Sequence, residues 1–173
     1  YVVCNFEEIV SGEEYVKPYA TEVFFRNNKG FDAGAHKDVL NHFVGWDKVL
    51  SYDELILTND TYFAPIYPFD EMFLTMQNTE CDYWGITRHP RGFLDGYGSF
   101  DEHIQSYFLC FKRNVLHDEK FKVFWSEFKL GSDKNSTIAG FELGINHYLG
   151  KMGYFSKAYM DQKTEFNIDI GNA

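Results

Sequence analysis

The period of the apolar positions changes several times along the chain, and each change marks an element. Tyr1-Val2-Val3-Cys4 is a short apolar run that stops at Asn5, the pattern of a strand with a polar tip. Glu22 to Arg26 (Glu-Val-Phe-Phe-Arg) is a second β-type run, halted by Asn27-Asn28-Lys29-Gly30. From Ala35, the residues Val39, Phe43 and Trp46 recur at helical spacing and predict a helix over residues 33–45. Leu55-Ile56-Leu57 is unbroken apolar sequence before Thr58-Asn59-Asp60-Thr61, which suits a strand covered on both faces in a parallel sheet. A helix across Pro68 to Met76 and a strand at Tyr83-Trp84-Gly85-Ile86 follow. Residues 88–102, with three glycines and one proline, predict a long loop. Ser106 to Phe111 is again β-like, and Phe121, Phe124, Trp125 and Phe128 at i, i+3, i+4 and i+7 predict an amphipathic helix. A last helix runs from Thr137 to Leu149, with Gly150 and Gly153 closing it. Tyr154 to Tyr159 adds a strand, and the tail after Met160 is polar and loose.

Strands alternating with helices predict an α/β fold with a mostly parallel sheet. No repeat, low-complexity tract or linker divides the chain, so residues 1–173 read as one domain. Open α/β sheets bind ligands beyond the carboxyl ends of their strands. Two polar clusters fall there. In Asn27 to Ala35 a glycine-punctuated loop opens a helix, where bare amides can approach a phosphate and Asp32 can accept from a base or ribose. The same residues also suit a plain turn with Asp32 as helix cap. In Thr58-Asn59-Asp60-Thr61 a carboxylate beside an amide and two hydroxyls offers hard oxygen ligands for Mg²⁺ or Mn²⁺, while Asn-Asp is equally a common turn former.

Glu142 stands out on the last helix. Ile138, Phe141, Ile145 and Leu149 trace the apolar stripe, and at about 100° per residue Glu142 falls inside it. An inward carboxylate is paired, lines a wet cleft, or carries a raised pKa, and the last two are what a general base needs. His147 falls on the opposite side of that helix, His36 and His42 show no partner spacing, and His89 and His103 bracket the long loop. Tyr62, Phe63, Tyr97 and Phe100 are loop aromatics able to stack on sugar rings, or simply to pack.

Composition narrows the partners. The 26 acidic residues against 16 basic ones leave a net charge of −10, which argues against nucleic acid or an anionic membrane surface as main partner. An anionic small ligand stays open, because a cation can reverse the sign locally. Aromatic residues make up 19%, enough both to fill a core and to face a sugar. Cys4, Cys81 and Cys110 are far apart with no metal-ligand spacing, which fits a reduced, cytosolic setting with Cys4 and Cys110 as buried thiols. No run approaches the length of a membrane span. The chain starts at Tyr1 on a strand-like segment, as expected for a piece of a longer protein.

The clusters also occur in a recognisable order. Asn-Lys-Gly-Phe-Asp-Ala-Gly-Ala at 28–35, Tyr-Asp-Glu-Leu-Ile-Leu-Thr-Asn-Asp-Thr at 52–61 and Asp-Tyr-Trp-Gly-Ile-Thr at 82–87 come first. His-Ile-Gln-Ser-Tyr-Phe-Leu-Cys-Phe at 103–111 and the Phe-Trp helix at 121–128 follow. This series resembles the rhamnan synthesis protein F family of bacterial cell-wall and O-antigen polysaccharide assembly, from about Tyr1 to Tyr159. Its members are similar to GT-A glycosyltransferases and are associated with rhamnose transfer from dTDP-rhamnose. The resemblance implies a GT-A-like Rossmann-type α/β fold, its mostly parallel sheet flanked by helices and lacking the first strand.

Residue by residue, the resemblance implies that Asn28, Gly30 and Asp32 meet the nucleotide, together with Asn5 and Asn59. Asp60 matches the metal or diphosphate position, with Mg²⁺ or Mn²⁺ as cofactor, although Thr58 stands where the usual motif has its first acidic residue. Gln105-Ser106-Tyr107 matches a block on the acceptor side, and Glu142 lies where inverting enzymes carry their base. The implied partners are a nucleotide-sugar donor and a lipid-linked or polysaccharide glycan acceptor. The implied setting is the cytoplasm, peripheral to the membrane assembly machinery. The alternative is a non-catalytic glycan-binding or scaffold domain within a polysaccharide-assembly protein, which would need neither Glu142 nor Asp60.

Overall fold

A computed structural model describes residues 1–6, 13–66 and 68–162; the polar tail at 163–173 lies outside the described residues. The strands are β1 (Val2–Cys4), β2 (Val23–Phe25), β3 (Glu54–Thr58), β4 (Tyr83–Gly85) and β5 (Arg88–His89). They continue with β6 (Gly92–Leu94), β7 (Gly98–Phe100), β8 (His103–Ile104), β9 (Phe108–Lys112) and β10 (Ser156–Ala158). Helices cover Phe31–Asp38, Asp70–Gln77 and Glu119–Glu127. A longer one is assembled from Lys134–Thr137, a π-helical turn at Ile138–Leu143 and Gly144–Lys151. A second π-helical turn, Val39–Phe43, extends the helix that starts at Phe31.

The mixed α/β class stands, but the expected mostly parallel sheet does not form. The main sheet has the order β10-β4-β9-β3, with β10 parallel to β4 and β9 antiparallel to both β4 and β3. A separate parallel pair joins β1 to β2, with Val3 opposite Phe24. The reason lies in β9. Phe108 to Phe111 are all buried because alternate residues feed two cores, and burial on both faces fixes no strand direction. Leu109 and Phe111 join a core with Trp46, Phe121, Trp125, Phe141, Ile145 and Leu149. Phe108 and Cys110 join a second core with Met72, Met76, Cys81 and Trp84, beneath the helix Asp70–Gln77.

The β3 expectation needs the same correction. Leu55-Ile56-Leu57 lies at the edge of the sheet, and only Leu57 is buried while Ile56 is 39% exposed. The supposed loop at 88–102 is also folded: β5 pairs with β8, and β6 with β7 around Gly96 and Gly98, both at positive φ. Two- and three-residue strands carry too little alternation to show in sequence.

The aromatic helix behaves as its stripe predicts. Asp118 caps it by accepting from the Lys120 amide at 2.8 Å, Phe121 and Trp125 are fully buried, and Phe121 meets Phe111 with ring centres 4.8 Å apart. Cys81 and Cys110 are buried free thiols, whereas Cys4 is half-buried. Among the described residues no helix is long and apolar enough to cross a membrane.

Candidate functional site

The carboxyl ends of β1, β2 and β3 open onto one cleft of about 350 Å³. Asn5 follows β1; Asn28 and Asp32 follow β2; Asn59 and Asp60 follow β3. Because β9 runs antiparallel, its beginning reaches the same place and brings Ser106. The far wall is the helix from Lys134, which contributes Phe141 and Glu142.

Arg26, at the end of β2, builds the near wall. Its side chain is 7% exposed and donates from Nη1 to Asn5 Oδ1 at 2.5 Å, from Nη2 to Lys29 O at 2.7 Å, and from Nε to Asp38 Oδ2 at 2.7 Å. One guanidinium thus fixes the tip of β1, the loop after β2 and the helix that follows. Gly34 is what lets this loop lie so close: a Cβ there would stand 2.0 Å from Lys29 O and 3.0 Å from Arg26 Nη2. Gly34→Ala is therefore expected to push the loop off Arg26. It should lower stability by about 2–3 kcal/mol, seen as a lower denaturation midpoint, since overpacking typically costs 1–3 kcal/mol.

Gly30 was expected at the nucleotide, but it does not line the cleft. It makes the left-handed turn into the helix at φ 78°, packed so that a Cβ would lie 2.9 Å from Leu130 Cδ2. Phe31 beside it holds φ 54°, uncommon for a bulky side chain, and it does line the cleft. The two readings of Asp32 now separate. The cap position belongs to Gly30, and Asp32 accepts instead from the Ala33 amide at 2.9 Å and from Asn59 Nδ2 at 2.8 Å. Asn59 in turn accepts from the Thr61 amide and hydroxyl at 3.1 and 2.7 Å. The two clusters, far apart in sequence, are one hydrogen-bonded unit. Beneath it His36 is buried, and desolvation pulls its imidazole down to about 4 against the opposing charge of Asp32.

Glu142 is both paired and at the cleft wall, 18% exposed. Oε1 accepts from His103 Nε2 at 3.2 Å, and Oε2 accepts from the Ser106 amide at 2.8 Å and the Ser106 hydroxyl at 2.6 Å. Burial alone would raise its pKa, but the bonds from His103 and Ser106 outweigh burial, and the carboxyl sits below its usual range. The raised pKa considered from sequence is therefore not found. His103 moves the other way. Burial lowers it, yet Glu142 and the Asp101 carbonyl together raise it above the ordinary histidine value.

Asp60 is exposed, and the Thr58 hydroxyl is committed to Tyr62 Oη at 2.8 Å and Tyr107 O at 3.0 Å. Among the described residues no group of three His, Cys, Asp or Glu forms a ready cation cage. The open Asp60 carboxylate suits a Mg²⁺ or Mn²⁺ ion only in the manner of a cation that completes its shell with substrate phosphates and water. Lys134, absent from the sequence-based candidates, is the basic side chain lining the cleft. Nothing in its spacing set it apart from other surface lysines.

The loop aromatics do not line this cleft. Tyr62 packs on Tyr107 at 5.0 Å, and Phe63 is 99% exposed. Phe100 sits edge-on to His89 and His103, and with Tyr97 it borders a second opening on the other side of His103.

An uncharacterized protein, y4gN, of Sinorhizobium fredii (strain NBRC 101917 / NGR234) is 23% identical over 177 residues. The match takes in 99% of this chain and 44% of that protein, so the chain spans less than half the length of its relative. No solved structure matches the chain. The family model described as "Rhamnan synthesis protein F" matches residues 1–169, nearly the whole sequence, and the chain belongs to that family, which connects it to rhamnan synthesis.

Proposed function

We propose that the cleft is the donor site of an inverting sugar transferase of GT-A kinship. It would move rhamnose from a nucleotide-sugar, dTDP-rhamnose, to a growing cell-surface glycan. One observation carries this reading: Asn5, Asn28, Asp32, Asn59, Asp60 and Glu142, drawn from four separate stretches of sequence, share one cleft. Asp32 and the amide side chains around it are suited to a nucleoside, which presents neutral donors and acceptors. Asp60 is the residue that would meet a divalent cation arriving with the diphosphate, and the cation's chemistry there is to offset charge on the leaving group. Lys134 adds a fixed positive charge to the same space. Glu142 takes the role of base. The glycan acceptor and an assembly complex at the cytoplasmic membrane face complete the proposal.

Thermal unfolding with dTDP and with UDP, each with and without Mn²⁺, tests the reading. At about 100 times Kd a nucleotide contributes roughly 2.7 kcal/mol, which raises Tm by about 5–10 °C for a chain of this size. A larger rise with Mn²⁺ than without it is expected, and no rise with any nucleotide would sink the proposal. The three hydrogen bonds already held by the Glu142 carboxylate favour a second reading, a non-catalytic glycan-binding domain. Stabilisation by oligosaccharide alone would select it.

A further inference from the structure

Three donors hold the carboxylate at the cleft before any substrate arrives. Glu142 Oε2 accepts twice from Ser106, at 2.8 Å from the amide and 2.6 Å from the hydroxyl, and those donors occupy both of its lone-pair directions. Oε1 faces His103 Nε2 at 3.2 Å, and the other ring nitrogen, Nδ1, lies 3.1 Å from the Asp101 carbonyl. Both ring nitrogens face acceptors, so an imidazolium beside a carboxylate satisfies every group. The ring is clamped in that pose by His89, stacked at 5.3 Å, and by Phe100, edge-on at 5.2 Å. Ser106 is different. Its hydroxyl gives its one proton to Glu142, no other hydrogen bond reaches that oxygen among the described residues, and the residue lines the cleft.

We propose that Ser106, Glu142 and His103 form one proton-transfer unit in which Ser106 Oγ, rather than a Glu142 oxygen, meets the acceptor hydroxyl. The proposal rests on the transferase reading above. As the acceptor oxygen bonds to the anomeric carbon of the donor, the bond from that carbon to the diphosphate oxygen breaks. Its electron pair leaves with the nucleoside diphosphate. The acceptor proton passes to Ser106 Oγ while the serine's own proton moves to Glu142 Oε2, so serine is regenerated and Glu142 ends neutral. His103 is a positioning residue: it holds Glu142 in place and keeps it ionised until the step occurs. The charged and titratable groups facing His103 are Glu142, Arg88 and the ring of His89, and Arg88 is itself drawn toward Glu102 and Asp161.

The test compares variants of the protein in transfer from a nucleotide-sugar to a glycan acceptor. Ser106→Ala should lower kcat on the order of 100-fold while donor KM and dTDP affinity stay unchanged, and Ser106→Thr should recover much of the loss. His103→Gln should move the acidic limb of the pH–rate profile to higher pH, because Glu142 then protonates more readily. A proton inventory on the wild type reads the relay without any substitution. Two protons in flight curve the dependence of kcat on deuterium fraction, and a straight line overturns the relay. Ser106→Ala turning over within about threefold of wild type would also overturn it and leave the transferase reading intact. A wild type that turns over no nucleotide-sugar would overturn the transferase reading itself.

Discussion

Glu142→Gln is expected to lower sugar transfer on the order of 10²–10⁴-fold while dTDP binds as tightly as before. Glutamine keeps the length of the side chain but has one acceptor oxygen in place of two. With the two Ser106 donors on the amide oxygen, the NH₂ faces His103 Nε2. That nitrogen can accept it only as part of a neutral ring with its proton on Nδ1, so the charged pair is lost. The proton then has no carboxylate to receive it. Neither Asp32 nor Asn59 bonds to Glu142, so the proposed nucleotide contacts should persist. Transfer rates measured beside calorimetric titration with dTDP separate the two effects. Undiminished turnover would remove Glu142 from the chemistry.

Arg26→Ala carries the largest expected stability effect. It strips donors from Asn5 Oδ1, the Lys29 carbonyl and the Asp38 carboxylate together. Removing one partner of a buried ion pair costs about 3–5 kcal/mol, and the 29% exposure of Asp38 places this change at the lower end, about 3 kcal/mol. For a chain of this size that lowers Tm on the order of 10 °C. Nucleotide binding should weaken as well, because Asn5 and the loop carrying Asn28 and Phe31 lose their common anchor. Thermal melting and dTDP titration of the variant check both parts. A melting point within a degree or two of wild type would show that Arg26 merely fills space.

Sequence pattern carries the element order because local periodicity records which residues face the core. The Phe121, Trp125 and Phe128 stripe and the inward turn of Glu142 were both legible for that reason. Strand direction was not. The run at Phe108–Phe111 says that both faces are covered, and the same residues would serve a parallel or an antiparallel neighbour. Leu55–Leu57 misled in the opposite sense, since a uniformly apolar run lies at an edge with Ile56 partly in water. At the site, the polar clusters could be placed at strand ends, but their bonding could not. The Asn59–Asp32 bond spans 27 positions, and the Glu142–His103 contact spans 39. Arg26 looked like an ordinary strand-end arginine, because only the assembled loops show that three partners converge on it.

The π-helical turn at Ile138–Leu143 has a consequence for how such a chain diverges. A π turn holds one residue more than the α turn it replaces. Deleting a single residue inside 138–143 would let the turn revert to regular winding while the helix on either side keeps its facing. With Ile145 and Leu149 anchored in the core, loss of Glu142 itself from this turn would leave a neighbouring side chain at the cleft wall. The fold would survive and the cleft carboxylate would not. One codon lost from this turn would therefore remove the proposed base and leave the architecture unchanged.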